Sequence, residues 1–135
     1  RLAPLPHWPG MGDPAAVDAL ARAAAVHDLG LAIAPGSGDR HPDVGCEVVD
    51  ALAAGHGPAL PFLRPLRAVV RHHHERWDGG GHPDRLTGEH IPPAARVAAV
   101  AIAYDDLRRG GPGRPPLSHP AACDQLRQDA GRAYD

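Results

Sequence analysis

Apolar residues recur at three- and four-residue steps in five stretches, separated by breaks rich in proline and glycine; this is the period of helices that turn one face to a core. In the first, Asp13 and Pro14 supply an N-cap and a first helical position. Val17, Leu20, Ala21 and Ala24 then lead to the adjacent pair His27 and Asp28, expected near the helix end. A second helix is predicted from Pro42 through Val44, Val48 and Leu52, stopping before Gly55. In the third, Leu63, Leu66 and Val70 share a face that runs on into His73 and His74, while Arg64, Arg67 and Arg71 take the other side, so both histidines are expected to point inward. Pro92 and Pro93 open a fourth helix through Val97, Val100 and Tyr104, and a fifth runs from about Ser118 to Ala130. Residues 1–12, with Pro4, Pro6, Pro9, Gly10 and Gly12, read as a loop or tether. No alternating strand pattern or internal repeat emerges. The expected fold class is therefore all-α, a single-domain helical bundle over residues 13–135.

Composition refines this picture. Apolar residues make up 43% of the 135 but aromatics only 4%, so the core must be built from Ala, Val and Leu, with small side chains permitting close helix contact. All 14 basic residues are arginine, and the formal charge of −2 offers no basic excess, which argues against a nucleic-acid polymer as partner. The apolar runs fall far short of the roughly 20 residues of a membrane span. Two cysteines make no disulfide framework, and a cytoplasmic setting is expected. Cys46 and Cys123 read as small apolar residues, Trp77 and Tyr104 as packing residues. His7, His56, His90 and His119, near turns, read as solvated. Arg108 and Arg109 suit the carbonyls at a helix end.

Ten histidines are a surplus, and their arrangement says more than their number. His27 adjoins Asp28, His41 precedes a helix start, and His73 with His74 closes an amphipathic helix. Together they offer imidazole and carboxylate donors of the kind that hold Fe, Mn, Zn or Ni, and ligands from separate helices can meet in a bundle core.

These stretches also carry a resemblance. Ala24-Ala25-Val26-His27-Asp28-Leu29-Gly30 is similar to the His-Asp signature of HD-GYP domains, a branch of the HD metal-dependent phosphohydrolases. His41-Pro42-Asp43-Val44-Gly45 resembles their His-Pro-x-x-Gly, and residues 73–83, His-His-Glu-Arg-Trp-Asp-Gly-Gly-Gly-His-Pro, resemble their His-His-Glu-Arg-x-Asp-Gly-x-Gly-Tyr-Pro. The likeness continues through Leu86-Thr87-Gly88 to Ala95-Arg96-Val97 and into the last six residues, covering nearly the whole chain. It implies a helical bundle that cleaves cyclic di-GMP to pGpG or GMP with two or three metals, often iron, which activate water for attack on phosphorus. By position it implies that Asp28, His41, His73 and His74 hold one divalent metal, iron or manganese, and that His27 with Asp28 begins a neighbouring site. Arg76, Asp78, His82, Pro83 and Arg96 become candidates for the ligand pocket.

The chain departs from the family pattern on the motifs themselves. Leu31 stands where the family has Lys, His82 where it has Tyr, and Ile102 where it has a metal-binding Asp. The first family helix, with its upstream His, is expected to be missing, and the segment between Asp28 and His41 is short. Asp105 and Asp106 follow one turn after Ile102 but are displaced along the helix axis, so substitution for the missing ligand is not expected. One metal is expected, and impaired turnover with it. The resulting expectation is a degenerate domain that binds metal or nucleotide, or docks on a fused or partner signalling domain. A working cyclic di-GMP phosphodiesterase and a metal-free structural subunit are the alternatives.

Overall fold

The computed structural model describes residues 13–56, 60 and 62–135; the expected tether over residues 1–12 lies outside them. Six α-helices are present among the described residues: α1 (Pro14–Ala25), α2 (Leu29–Ile33), α3 (His41–His56), α4 (Leu63–His72), α5 (Pro93–Arg109) and α6 (His119–Asp129). No β-strand occurs among them, and the fold class is all-α, as the hydrophobic periodicity implies. The chain divides into two compact units, Arg1–Arg71 and His72–Asp135.

In the first unit the Asp13 side chain accepts the Ala15 N–H at 3.0 Å, and Pro14 begins α1, as the sequence predicts. The helix stops at Ala25, however, and Val26, His27 and Asp28 form a turn that leads directly into the short α2. The His-Asp pair thus sits on a corner between two helices. A five-residue helix carries too little periodicity to be read from sequence. Helix α2 packs on α3, and Gly30 makes the contact possible: a Cβ there would lie 2.0 Å from the His41 carbonyl oxygen. Helix α3 begins at His41, one residue earlier than expected, and runs past Gly55 to His56.

Helix α4 turns Leu63, Leu66, Val69 and Val70 into the core, where Val69 and Val70 are fully buried along with Val49 and Pro42 of α3. Burying such side chains contributes about 1.5–3 kcal/mol each. On its outer side, Arg67 forms a two-pronged ion pair with Asp50 of α3, at 2.6 and 3.1 Å. Both partners are half exposed, so the pair contributes about 0–1 kcal/mol. Cys46 is buried on α3, as a small apolar residue would be.

The second unit is built around α5 and α6. Ala95, Ala98 and Ala99 of α5 and Ala122 of α6 are buried, the close alanine contact expected of a core so poor in aromatics. Ser118 caps α6 through the Ala121 N–H, and Pro93 opens α5. Arg108 donates to the carbonyl oxygen of Leu117, beyond the end of α5, and Arg109 pairs with the Asp105 carboxylate one turn back, so neither is held on the helix-end carbonyls that the sequence suggests. No helix of the described residues is long and apolar enough to cross a membrane.

Candidate metal centre

The corner after α1 determines what the first unit offers chemically. His27 Nδ1 lies 2.7 Å from the Ala24 carbonyl oxygen, and His41 Nδ1 lies 2.7 Å from that of Gly38. A carbonyl can only accept, so each Nδ1 carries the proton and each Nε2 of the neutral ring keeps its lone pair. Those two nitrogens face the same carboxylate: His27 Nε2 is 3.3 Å from Asp28 Oδ2, and His41 Nε2 is 3.2 Å from Asp28 Oδ1. Lone pairs set against carboxylate oxygens at this distance repel unless a positive charge, a metal ion or a ring proton, joins them. A separation of 3.2 Å suits two ligands held at ~2.1 Å from one ion. His41 is buried, and its carbonyl-fixed ring has the orientation that a metal-binding imidazole needs. The donor set therefore fits a divalent transition metal.

In the second unit α4 ends at His72, so His73 and His74 lie in the following turn and do not share its apolar face. His73 is buried, whereas His74 is exposed, which departs from the expectation that both point inward. Their rings lie 4.1 Å apart between centroids, and His74 stacks at 4.6 Å on His82. The loop that brings His82 back is held tightly. The His82 N–H donates to the His74 carbonyl oxygen at 3.2 Å, and a Cβ on Gly81 would meet the Arg76 nitrogen at 2.4 Å. Only glycine permits this approach.

Glu75 anchors the same loop. Its side chain is fully buried, and its two oxygens accept the backbone N–H groups of Asp84 at 2.7 Å and Leu86 at 3.0 Å. His72 Nδ1 lies 3.5 Å from Asp84 Oδ2 and 3.9 Å from Glu75 Oε1, so these three residues form a second donor group. The sequence singled out neither His72 nor Asp84, because what relates them is the return of a loop and not a spacing.

The candidate pocket residues separate. His73, His74, Arg76 and His82 line one cavity of about 320 Å³, together with Ile102 and Tyr134. Arg76 is clamped by Asp78 at 2.6 and 3.0 Å, and Asp78 also accepts the Gly80 N–H. These bonds hold the Asp78 carboxyl down at about 2. Pro83 follows His82 through a cis peptide bond. Arg96 pairs with Asp135 at 2.7 Å and lies over the Trp77 ring, with only 8% of its side chain exposed. Trp77 and Asp78 are joined to the chain end, donating their N–H groups to the carbonyls of Ala133 and Arg132. That pairing delivers Tyr134 to the cavity, some 60 residues after the motif and beyond the reach of local sequence reading. Burial, chiefly, pushes the Tyr134 hydroxyl above its usual range. His56, His90 and His119 are exposed, and His119 accepts or donates a 2.8 Å bond with the Tyr104 hydroxyl; His7 lies outside the described residues.

The HD domain family matches residues 40–135, a span that holds His41, His73 and His74 and begins after the His27-Asp28 corner. Over 99% of its length the chain is 30% identical to a cyclic di-GMP phosphodiesterase of Vibrio cholerae serotype O1. Over 71% of its length it is 36% identical to the cyclic di-GMP phosphodiesterase response regulator RpfG of Xanthomonas campestris pv. campestris. A 3'3'-cGAMP-specific phosphodiesterase 2 of Vibrio cholerae is 25% identical over 97% of the chain. The chain spans 30% of the first of these relatives, 24% of the second and 27% of the third. With its all-helical architecture, its histidine and aspartate donors and a family match over most of its length, the chain belongs to the HD domain family.

Proposed function

We propose that this chain is a degenerate HD-GYP-type domain that holds one divalent transition metal, iron or manganese, through Asp28, His41, His73 and His74. In this reading it binds a cyclic dinucleotide of the cyclic di-GMP kind but turns it over poorly. It serves in the cytoplasm as a metal- and nucleotide-binding or protein-interaction module alongside a fused or partner signalling domain. The observation that carries the metal assignment is the Asp28 carboxylate facing the Nε2 of His41, whose Nδ1 is fixed on the Gly38 carbonyl. The observation that supports impairment is Ile102, an aliphatic side chain on the cavity wall that also bears His73 and His74.

A bound divalent metal would polarise a phosphate oxygen and acidify water. The chain's own residues would do the rest. His41, oriented by Gly38, keeps its Nε2 directed at Asp28, while the Glu75-anchored loop holds His82 against His74. The resemblance of residues 73–83 to the family motif, His82 apart, favours a second reading, an active cyclic di-GMP phosphodiesterase releasing pGpG or GMP. Product release by pure protein reconstituted with iron or manganese separates the two. The degenerate reading expects little or no turnover in the native chain and a gain in Ile102→Asp. Sustained turnover by the native chain would establish the enzyme instead.

A further inference from the structure

Helix α5 forms one wall of the 320 Å³ cavity with Ala99, Ile102, Ala103 and Asp106, at steps of three and four residues. Three of these are apolar and short or slender, and Gly80 and Gly81 lie on the same cavity, which leaves room for something flat. Asp106 is the exception. Its neighbour Asp105 is paired with Arg109, whereas the Asp106 carboxylate makes no hydrogen bond or ion pair among the described residues. The guanidinium on the same cavity, Arg76, is already occupied by Asp78. Asp106 is exposed and its charge acts on Tyr134 of the same cavity, and His82 adds a buried Nδ1 with no hydrogen-bond partner among the described residues. Among the described residues Asp106 belongs to no group of donors close enough to share an ion, so the cavity does not make it a metal ligand.

We propose that Asp106 reads the base of the bound nucleotide, accepting the two adjacent N–H groups of a guanine edge while the base lies along the Ala99–Ile102–Ala103 wall. This inference rests on the proposed binding of a cyclic dinucleotide and adds its base specificity. Guanine presents its ring N–H and its exocyclic amine side by side, two donors that one carboxylate can take together. Adenine sets a ring-nitrogen lone pair in the same place, which would face the carboxylate and be repelled. At the lower end of the roughly 300–1,000 Å³ of small-molecule pockets, the cavity suits one nucleoside and not a whole dinucleotide. One half of the ligand would therefore be read here.

The test is calorimetric titration of the metal-loaded chain with cyclic di-GMP, its inosine analogue lacking the 2-amino group, and cyclic di-AMP. The chain should prefer cyclic di-GMP over cyclic di-AMP by ~10- to 100-fold, with the inosine analogue between them. Asp106→Ala should remove most of that preference and Asp106→Glu retain part of it, whereas Asp105→Asn should leave it unchanged. Asp106 is exposed, so melting temperatures should match and exclude misfolding as the cause. Full preference in Asp106→Ala would overturn the inference. Tight but undiscriminating binding would overturn it while sparing the proposed function, and no binding of any cyclic dinucleotide would sink both.

Discussion

Replacing Gly30 by alanine tests how the packing of α2 on α3 sets the geometry of the Asp28 and His41 donors. The added Cβ would fall 2.0 Å from the His41 carbonyl oxygen and 2.8 Å from its carbon, both backbone atoms that no rotamer change can move. Ordinary contact begins at 3.4 Å, so one backbone must retreat by about 1.4 Å. Asp28 is two residues before Gly30, and its Oδ1 lies 3.2 Å from His41 Nε2, so the retreat is nearly half the distance that defines the pair. Overpacking of this kind costs about 3 kcal/mol, offset by about 1 kcal/mol of helix propensity gained from removing a glycine. The melting midpoint should drop by ~5–10 °C. Affinity for iron or manganese should fall by ~10- to 100-fold, as when a metal ligand loses its support. Metal titration and thermal melting are run in parallel, with Gly55→Ala as the control, since a Cβ there meets nothing within 4 Å. The control should be slightly stabilised with metal affinity intact. Native metal affinity in Gly30→Ala would refute the idea that this contact holds the donor pair in register.

Further expectations follow from particular contacts. Val69 is fully buried, so Val69→Ala should cost about 1.5–3 kcal/mol of stability by denaturant titration; an effect below about 0.5 kcal/mol would place it outside the core. The Cys46 thiol is pushed up by burial, while Cys123 on α6 is partly exposed. Ellman's reagent at pH 8 should therefore label one thiol per chain quickly and the second only on unfolding, and rapid labelling of both would contradict the packing. Hydrogen bonds from Arg76 and Gly80 lower the Asp78 pKa in the folded chain from 3.8 to about 2, so their stabilisation is present above pH 3.8 and is lost as pH falls through about 2. The Asp78 carboxyl signal should titrate near 2 by NMR, and a midpoint near 3.8 would show that the clamp does not form in solution.

How far the sequence could be read depended on whether a feature was periodic. Helices α1 and α3 to α6 were visible because caps and apolar steps are local, and Asp13, Pro93 and Ser118 act as those positions suggest. Helix α2 was missed because five residues hold barely more than one turn. The motif residues His27, Asp28, His41, His73 and His74 stood out by residue type and resemblance. Their tautomers did not, because these depend on the carbonyls of Ala24 and Gly38 after the chain has turned. Tyr134 and the loop-holding role of Glu75 come from chain returns that no spacing encodes. Asp106 was legible as a carboxylate one turn beyond Ile102, but its place on the cavity, away from the Arg109 that occupies Asp105, required coordinates.

The account is tested most directly by the metal content of untagged, chelator-free protein, measured by elemental analysis on the native chain, His41→Ala, and the His73→Ala/His74→Ala double variant. It predicts roughly one iron or manganese per native chain and nearly none in either variant, since each removes part of one shared donor set. Close to two metals per native chain, or a content that survives either variant, would contradict it.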